Sequence, residues 1–217
     1  ENNKDMLVAV QRGSSFSLKK EFGNIDIVSY DGGEVSHLIE ALRDEDSYVR
    51  STAAKELDKI GWQPQNQEEE ILYFIAKHYW EGLVRIGYPA VPYLIKLLKD
   101  KDSEVRYRAV KALGEIGSQE IASHLRGIII EALIEALKDE EWIVHHTAAG
   151  VLVKIGFPAI PYLIEALRDE DIAVRFKAAE VLDQIEWQPQ NQEEEILYFI
   201  AKHYWEGLVR IGYPAVP

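Results

Sequence analysis

Cysteine is absent from the 217 residues, and methionine occurs once. Disulfides, thiolate metal sites and cysteine nucleophiles are therefore excluded, and a reducing cytoplasm is the expected compartment. Basic residues are few: 24 Lys and Arg stand against 37 Asp and Glu, a net charge of −13. Phosphate backbones are bound mainly by Lys and Arg, so nucleic acid is not an expected partner. A neutral or basic protein surface is the easier match. Long apolar runs are missing as well. The run from Gly127 is broken at Glu131, far short of the roughly 18 to 20 residues of a membrane span, so no membrane partner is expected. No secretory leader pattern opens the chain, and a start at Glu1 rather than Met is expected of a cut or tagged polypeptide.

Hydrophobic residues nevertheless make up 47% of the chain, which argues against disorder. They are arranged in repeats. One phrase occurs four times: HLIEALRDEDSYVRSTAAKELDKIG from His37, YLIKLLKDKDSEVRYRAVKALGEIG from Tyr93, ALIEALKDEEWIVHHTAAGVLVKIG from Ala132 and YLIEALRDEDIAVRFKAAEVLDQI from Tyr162. Each copy reads as helix, acidic turn, helix, stop. In the first copy Leu38, Ile39 and Leu42 form one apolar stripe, and Val49, Ala53, Leu57 and Ile60 another at helical spacing. Asp46 or Ser47 is placed to cap the second helix. Gly61, Gly117 and Gly156 are expected as C-caps with positive φ. Pro89, Pro92, Pro158 and Pro161 sit where they can open the next helix.

A second kind of unit lies between the first two copies. WQPQNQEEEILYFIAKHYWEGLVRIG, from Trp62 to Gly87, reads as one helix opened by Glu68, Glu69 and Glu70 with apolar Ile71, Leu72, Phe74 and Ile75, and a shorter one after His78 with Trp80, Leu83, Val84 and Ile86. Residues 187–217 repeat residues 62–92 identically over 31 positions, offset by 125. The expected layout is an irregular N-terminal cap or leader over 1–33 and a repeat array over 34–217. Its helix pairs fall near 35–61, 62–87, 88–117, 128–156, 157–185 and 186–212, with the array cut short at its C-terminus. MLVAV in the leader can form one helix. The open terminal repeat offers a surface for self-association.

The pattern PAVPYLIKLLKD…VR..A..ALGEIG resembles the HEAT-like repeats first recognised in phycobilin lyases. Its specific elements are the Leu-Ile…Leu-x-Asp end of the first helix, the Val-Arg pair opening the second, the alanine pair and the terminal Ile-Gly. Val49-Arg50, Val105-Arg106 and Val174-Arg175 match the pair, and Val144-His145 departs from it. The resemblance implies an all-α superhelix, a solenoid whose second helices line the concave side. Its members include chromophore lyases, an iron-dependent hydroxylase of a modified lysine, and binding scaffolds, so the fold alone does not select a function.

Sites of chemistry are sparse. The hydroxylase branch uses His-Glu pairs, and here every histidine is followed by another residue: Leu38, Tyr79, Leu125, His146, Thr147 and Tyr204. His145 and His146 point about 100° apart on a helix and do not share a metal readily. His145 is expected to fill the Arg slot, with His146 facing solvent. The acidic turns lack the glycine and distal glutamate of a calcium loop. Asp44, Asp100, Asp139 and Asp169 each precede the Arg or His145 slot by six residues, which reads as capping and Asp–Arg pairing between stacked units. No phosphate loop and no local triad occur, so neither catalytic residues, metal nor cofactor are expected.

What remains is aromatic. Tyr48, Tyr107, Arg108, Trp142, His146 and Phe176 lie at positions aligned to the solvent side of the second helices, and interface anchors are typically aromatic or Arg. They form a concave protein-binding stripe, or some of them pack against neighbouring repeats. The module's Trp62, Tyr73, Phe74, Tyr79 and Trp80 are expected to pack as core. The expected function is a non-catalytic scaffold for a protein partner. The alternatives are a bilin lyase or isomerase handling a chromophore, and a repeat fragment without activity of its own.

Overall fold

A computed structural model describes residues 18–21, 24–27, 32–119 and 122–203. The chain is an α-solenoid of paired helices divided into two compact units, Glu1–Ile86 and Gly87–Pro217. The expected helix over MLVAV lies outside the described residues. Two short described segments of the leader are strands. Strands β1 (Leu18–Glu21) and β2 (Asn24–Ile27) pair antiparallel, with Leu18 opposite Ile27 and Glu21 opposite Asn24.

The first unit continues with helices α1 (Gly32–Ala41), α2 (Ser47–Lys59), α3 (Gln67–Ala76) and α4 (Trp80–Ile86), each packed on the next. Leu38, Leu42, Ala53, Ala54 and Leu57 are buried between α1 and α2. Asp46 caps α2 by accepting the Tyr48 N–H. Asn66 caps α3, and Glu69 reaches back to the Gln65 N–H, a reciprocal cap. The module's rings pack on one another, with Trp62 edge-on to Tyr73 and Phe74 edge-on to Tyr79, but they are not core as expected: Trp62, Tyr73, Phe74 and Trp80 are half-buried and Tyr79 is exposed.

The second unit holds α5 (Val91–Leu97), α6 (Ser103–Gly117), α7 (Ser123–Glu135), α8 (Trp142–Ile155), α9 (Ile160–Ala166), α10 (Ile172–Gln184) and α11 (Gln192–Ala201). Two layers result. First helices α5, α7 and α9 contact in series, and so do second helices α6, α8 and α10. Val105, Ala109, Leu113, Ile129, Leu133, Val144, Ala148, Leu152, Val174 and Leu182 are buried along the seam. The third pair's first helix begins at Ser123, ahead of the 128 read from the sequence.

One stop signal is corrected. Gly61 and Gly156 have φ of 67° and 70°, but Gly117 ends α6 inside the helix, and Ser118 keeps a right-handed conformation. A Cβ on Gly117 would sit 3.2 Å from Ile129 Cγ2, so its smallness serves the approach of α7. The place of Gly61 is taken in the fourth copy by Glu186, at φ 60°. A left-handed conformation costs a residue with a Cβ about 1 kcal/mol. Glu186→Gly is therefore expected to raise stability by about 0.5–1 kcal/mol in urea titration. A lower midpoint would show that the glutamate side chain stabilises the turn.

The module docks the same way twice. Arg43 pairs with Glu68 and Arg168 with Glu193, both at 2.7 Å. Tyr73 and Lys77 bind Asp58, as Tyr198 and Lys202 bind Asp183. Burial, and then the carboxylate, push both phenols up to about 12. Copies two and three carry Lys99 with Gly114 and Lys138 with Val153 at those positions. Only the copies followed by the module supply its Arg and Asp partners.

Candidate protein-binding face

The repeat's acidic turn is a device for satisfying backbone. Asp44, Asp100, Asp139 and Asp169 each accept the N–H two residues on, at 2.8–3.0 Å. The Arg slot then closes the turn from the far side: Arg50, Arg106 and Arg175 donate to the carbonyl of the Asp six residues back. His145 takes that role in copy three, its Nδ1 lying 2.8 Å from the Asp139 carbonyl. The expected Asp–Arg pairing between units is seen at Arg106. Arg106 grips Asp139 of the next pair through Nε–Oδ2 at 2.7 Å and Nη2–Oδ1 at 2.9 Å. Where His145 replaces Arg, Asp169 is met by Lys138 at 3.4 Å instead. Among the described residues no group of His, Asp and Glu is placed to hold a metal ion. No single described helix is long and apolar enough to cross a membrane.

The residues proposed for the stripe fall into three places. Tyr48 belongs to the first unit, near the start of α2, and is 64% exposed. Tyr107, His146 and Phe176 occupy equivalent positions on α6, α8 and α10, each two residues after the repeat's Val. They form one row across three adjacent helices. Trp142 stands a turn earlier on α8 and aligns with Ser47, Ser103 and Ile172, out of line with Tyr48.

The aromatic groups on α6, α8 and α10 each have a local companion. Arg108 and Lys111 lie 5.4 and 5.7 Å from the Tyr107 centroid, and Arg108 also pairs with Glu104 at 2.6 Å. The Trp142 indole stacks on His146 with centroids 4.5 Å apart and planes 14° from parallel. Lys202 stands 5.4 Å over Phe176. Trp142 is 62% exposed and Phe176 37%, whereas Tyr107 is half-buried. Lys177, next to Phe176 on α10, is half-buried. Its ammonium donates to the Leu137 carbonyl at 2.7 Å, and burial pushes its pKa below the ordinary lysine value.

Sequence reasoning passed over Ile143 and Ile172, which are also exposed. The signal was present in the alignment: Ile172 stands where the first two copies have serine, and Ile143 where copy two has Glu104. On the opposite layer, a cleft of about 330 Å³ between α7 and α9 is lined by Glu131, Glu135, Tyr162, Glu165, Arg168 and Asp169. Four carboxylates there face one arginine, itself paired with Glu165 and Glu193.

Residues 75–129 and 130–210, together more than half of the chain, match the HEAT repeats family. No curated protein matches. Among solved structures, an engineered protein is 24% identical over 84% of this chain and 73% of its own, with a TM-score of 0.38. A second engineered protein is 23% identical over 84% of this chain and 54% of its own, at 0.38. A designed armadillo repeat protein, solved with a (KR)4 peptide, is 17% identical over 84% of this chain and 93% of its own, at 0.37. The two family matches run through the helix pairs, the Val-Arg slots and the aromatic row just described: this chain belongs to the HEAT repeats family.

Proposed function

We propose that the chain is a non-catalytic scaffold that binds a protein partner on the outward face of α6, α8 and α10, the side that the lyase-type resemblance assigns to the concave surface. The observation that carries this reading is the row Tyr107–His146–Phe176 with Trp142 stacked above it, large rings held at the surface by neighbours rather than sunk into the core. Partly exposed aromatic groups with restrained rotamers lose little entropy on binding and serve as interface anchors. A cytoplasmic setting fits the absence of cysteine.

The lyase reading finds less support. The cleft between α7 and α9 presents Glu131, Glu135, Glu165 and Asp169, a poor lining for a chromophore that carries carboxylates of its own. Alanine at Tyr107 and Phe176 is expected to leave helicity unchanged and to cost under about 1 kcal/mol in thermal melts. A much larger loss would identify them as core. Affinity capture from source-cell lysate should recover a protein with the parent chain and lose it with the Tyr107→Ala, Trp142→Ala, Phe176→Ala variant. Equal recovery by both would move the site elsewhere.

A further inference from the structure

Copy three gives up a helix cap at the start of its second helix, and copies three and four both place an apolar side chain at its first position. The first helical position is Ser47 and Ser103 in copies one and two, but Trp142 and Ile172 in copies three and four. The N-caps Asp46, Asp102 and Asp171 each accept a backbone N–H, whereas Glu141 makes no side-chain cap. Losing a cap costs about 1 kcal/mol, and Trp142, Ile143 and Ile172 keep 62%, 41% and 57% of their surface exposed. Much of their apolar area is left unused by the unit they sit on.

A second, independent feature lies on the same stripe of α8. Trp142, His146 and Gly150 follow one another at four-residue spacing, all exposed. Gly150 is inside the helix, where glycine costs about 1 kcal/mol relative to alanine. A Cβ there would meet nothing within 4 Å, so no neighbour requires the gap. The equivalent residues are Lys55, Lys111 and Glu180. The gap leaves bare helix backbone below the Trp142–His146 stack, open to close approach by another chain.

Charge then selects the occupant. The basic groups of these two turns are already engaged: Arg106 with Asp139, Lys138 with Glu135 and Asp169, Arg168 with Glu165 and Glu193, and Arg175 with backbone carbonyls. The exposed carboxylates of Glu140, Glu141 and Glu170 join no ion pair among the described residues. One face of the Trp142 ring is covered by His146, and the indole is otherwise open to a cation.

We infer that the starts of α8 and α10 dock a flexible protein segment in which lysine or arginine alternates with apolar side chains. Its cations lie over Trp142 and against Glu140, Glu141 and Glu170. Its apolar groups cover Ile143, Ile172 and Phe176, and its backbone passes the gap at Gly150. This assignment rests on the protein-binding reading of the outward face and specifies the chemistry of the partner.

The test uses the full chain and a labelled peptide of lysine, leucine and serine, with a counterpart carrying glutamate for lysine, followed by fluorescence anisotropy. The lysine peptide is expected to bind and the glutamate peptide not. Trp142→Ala with Ile172→Ser should weaken binding at least about tenfold, the scale of a lost interface anchor, with an unchanged melting curve. Glu140→Gln with Glu141→Gln should also weaken it, while Glu45→Gln with Glu131→Gln, removing equal charge elsewhere, should not. Equal weakening by the two charge pairs would reduce the effect to bulk attraction and overturn the proposal, as would absence of lysine-peptide binding. Preferential binding of the glutamate peptide, lost in Phe176→Ala, would overturn the cationic partner and leave the face standing. Equal binding of every peptide to the parent and to the Tyr107→Ala, Trp142→Ala, Phe176→Ala variant would retire the face itself.

Discussion

Replacing Asp139 with alanine is expected to destabilise the chain by about 3 kcal/mol, because it strands a buried guanidinium. Arg106 and Asp139 are each 10% exposed at the side chain and meet through two parallel hydrogen bonds. The same carboxylate accepts the Glu141 N–H at the start of α8, so its loss also loosens a helix entry. The Asp139 hydrogen bonds raise the Arg106 pKa above its ordinary value against the opposing effect of burial. For Asp139 burial pushes upward, but the Arg106 bonds, the Glu141 amide and the Arg106 charge together hold it below the usual carboxylate value. A carboxyl whose folded pKa is depressed contributes stability that is present above its unfolded pKa, about 3.9. That contribution is lost as pH falls through the lower folded value. The gap between parent and Asp139→Asn in urea midpoints should therefore be full near neutrality and shrink below about pH 4. Arg106→Met combined with Asp139→Leu should recover most of the loss, since an apolar pair does not carry the desolvation cost of the ions. A penalty under about 1 kcal/mol for Asp139→Ala would show that water reaches Arg106 freely.

Gly114→Val is expected to cost about 3 kcal/mol, at the upper end for overpacking a well-filled contact. Gly114 lies on α6 where α8 crosses it. A Cβ there would stand 2.6 and 2.7 Å from the two Cγ atoms of Val151. Valine is stiff about χ1, so the clash is relieved only by parting the helices. Val151→Ala, nearly neutral or mildly destabilising by itself, should restore most of the stability when combined with Gly114→Val. That compensation is what a double-mutant cycle in urea would detect. Additive penalties would mean the two positions are not in contact.

The same position shows how far the amino-acid order carries and where it stops. Copies one and four hold Asp58 and Asp183 where copies two and three hold Gly114 and Val153. An alignment displays the difference without its reason, because the reason is a contact: Asp58 and Asp183 receive Tyr and Lys of the following module, and Gly114 receives Val151 of the next helix pair. The aromatic row behaved similarly. Tyr107, His146 and Phe176 were legible as one register, since a repeat's period assigns equivalent residues to equivalent places. Ile143 and Ile172 were not read as part of a surface, because exposure is a sum over neighbours that the period does not specify.

The sequence by itself determined the helix pairs, their apolar stripes, the Asp caps and the slot that His145 shares with three arginines. All of these are set by interactions within about a turn or two of helix, where spacing along the chain is spacing in space. Only the tertiary structure decided that Gly117 is small so that α7 can approach rather than to bend the backbone, and that Leu18–Glu21 pairs antiparallel with Asn24–Ile27. It alone decided which residues make the Asp–Arg pairing expected between units, Arg106 with the next repeat's Asp139, and that Lys177 turns in to a carbonyl on another helix pair. Those outcomes depend on which residues distant in sequence come within about 4 Å, a distance fixed by packing between helices and not by the pattern on either one.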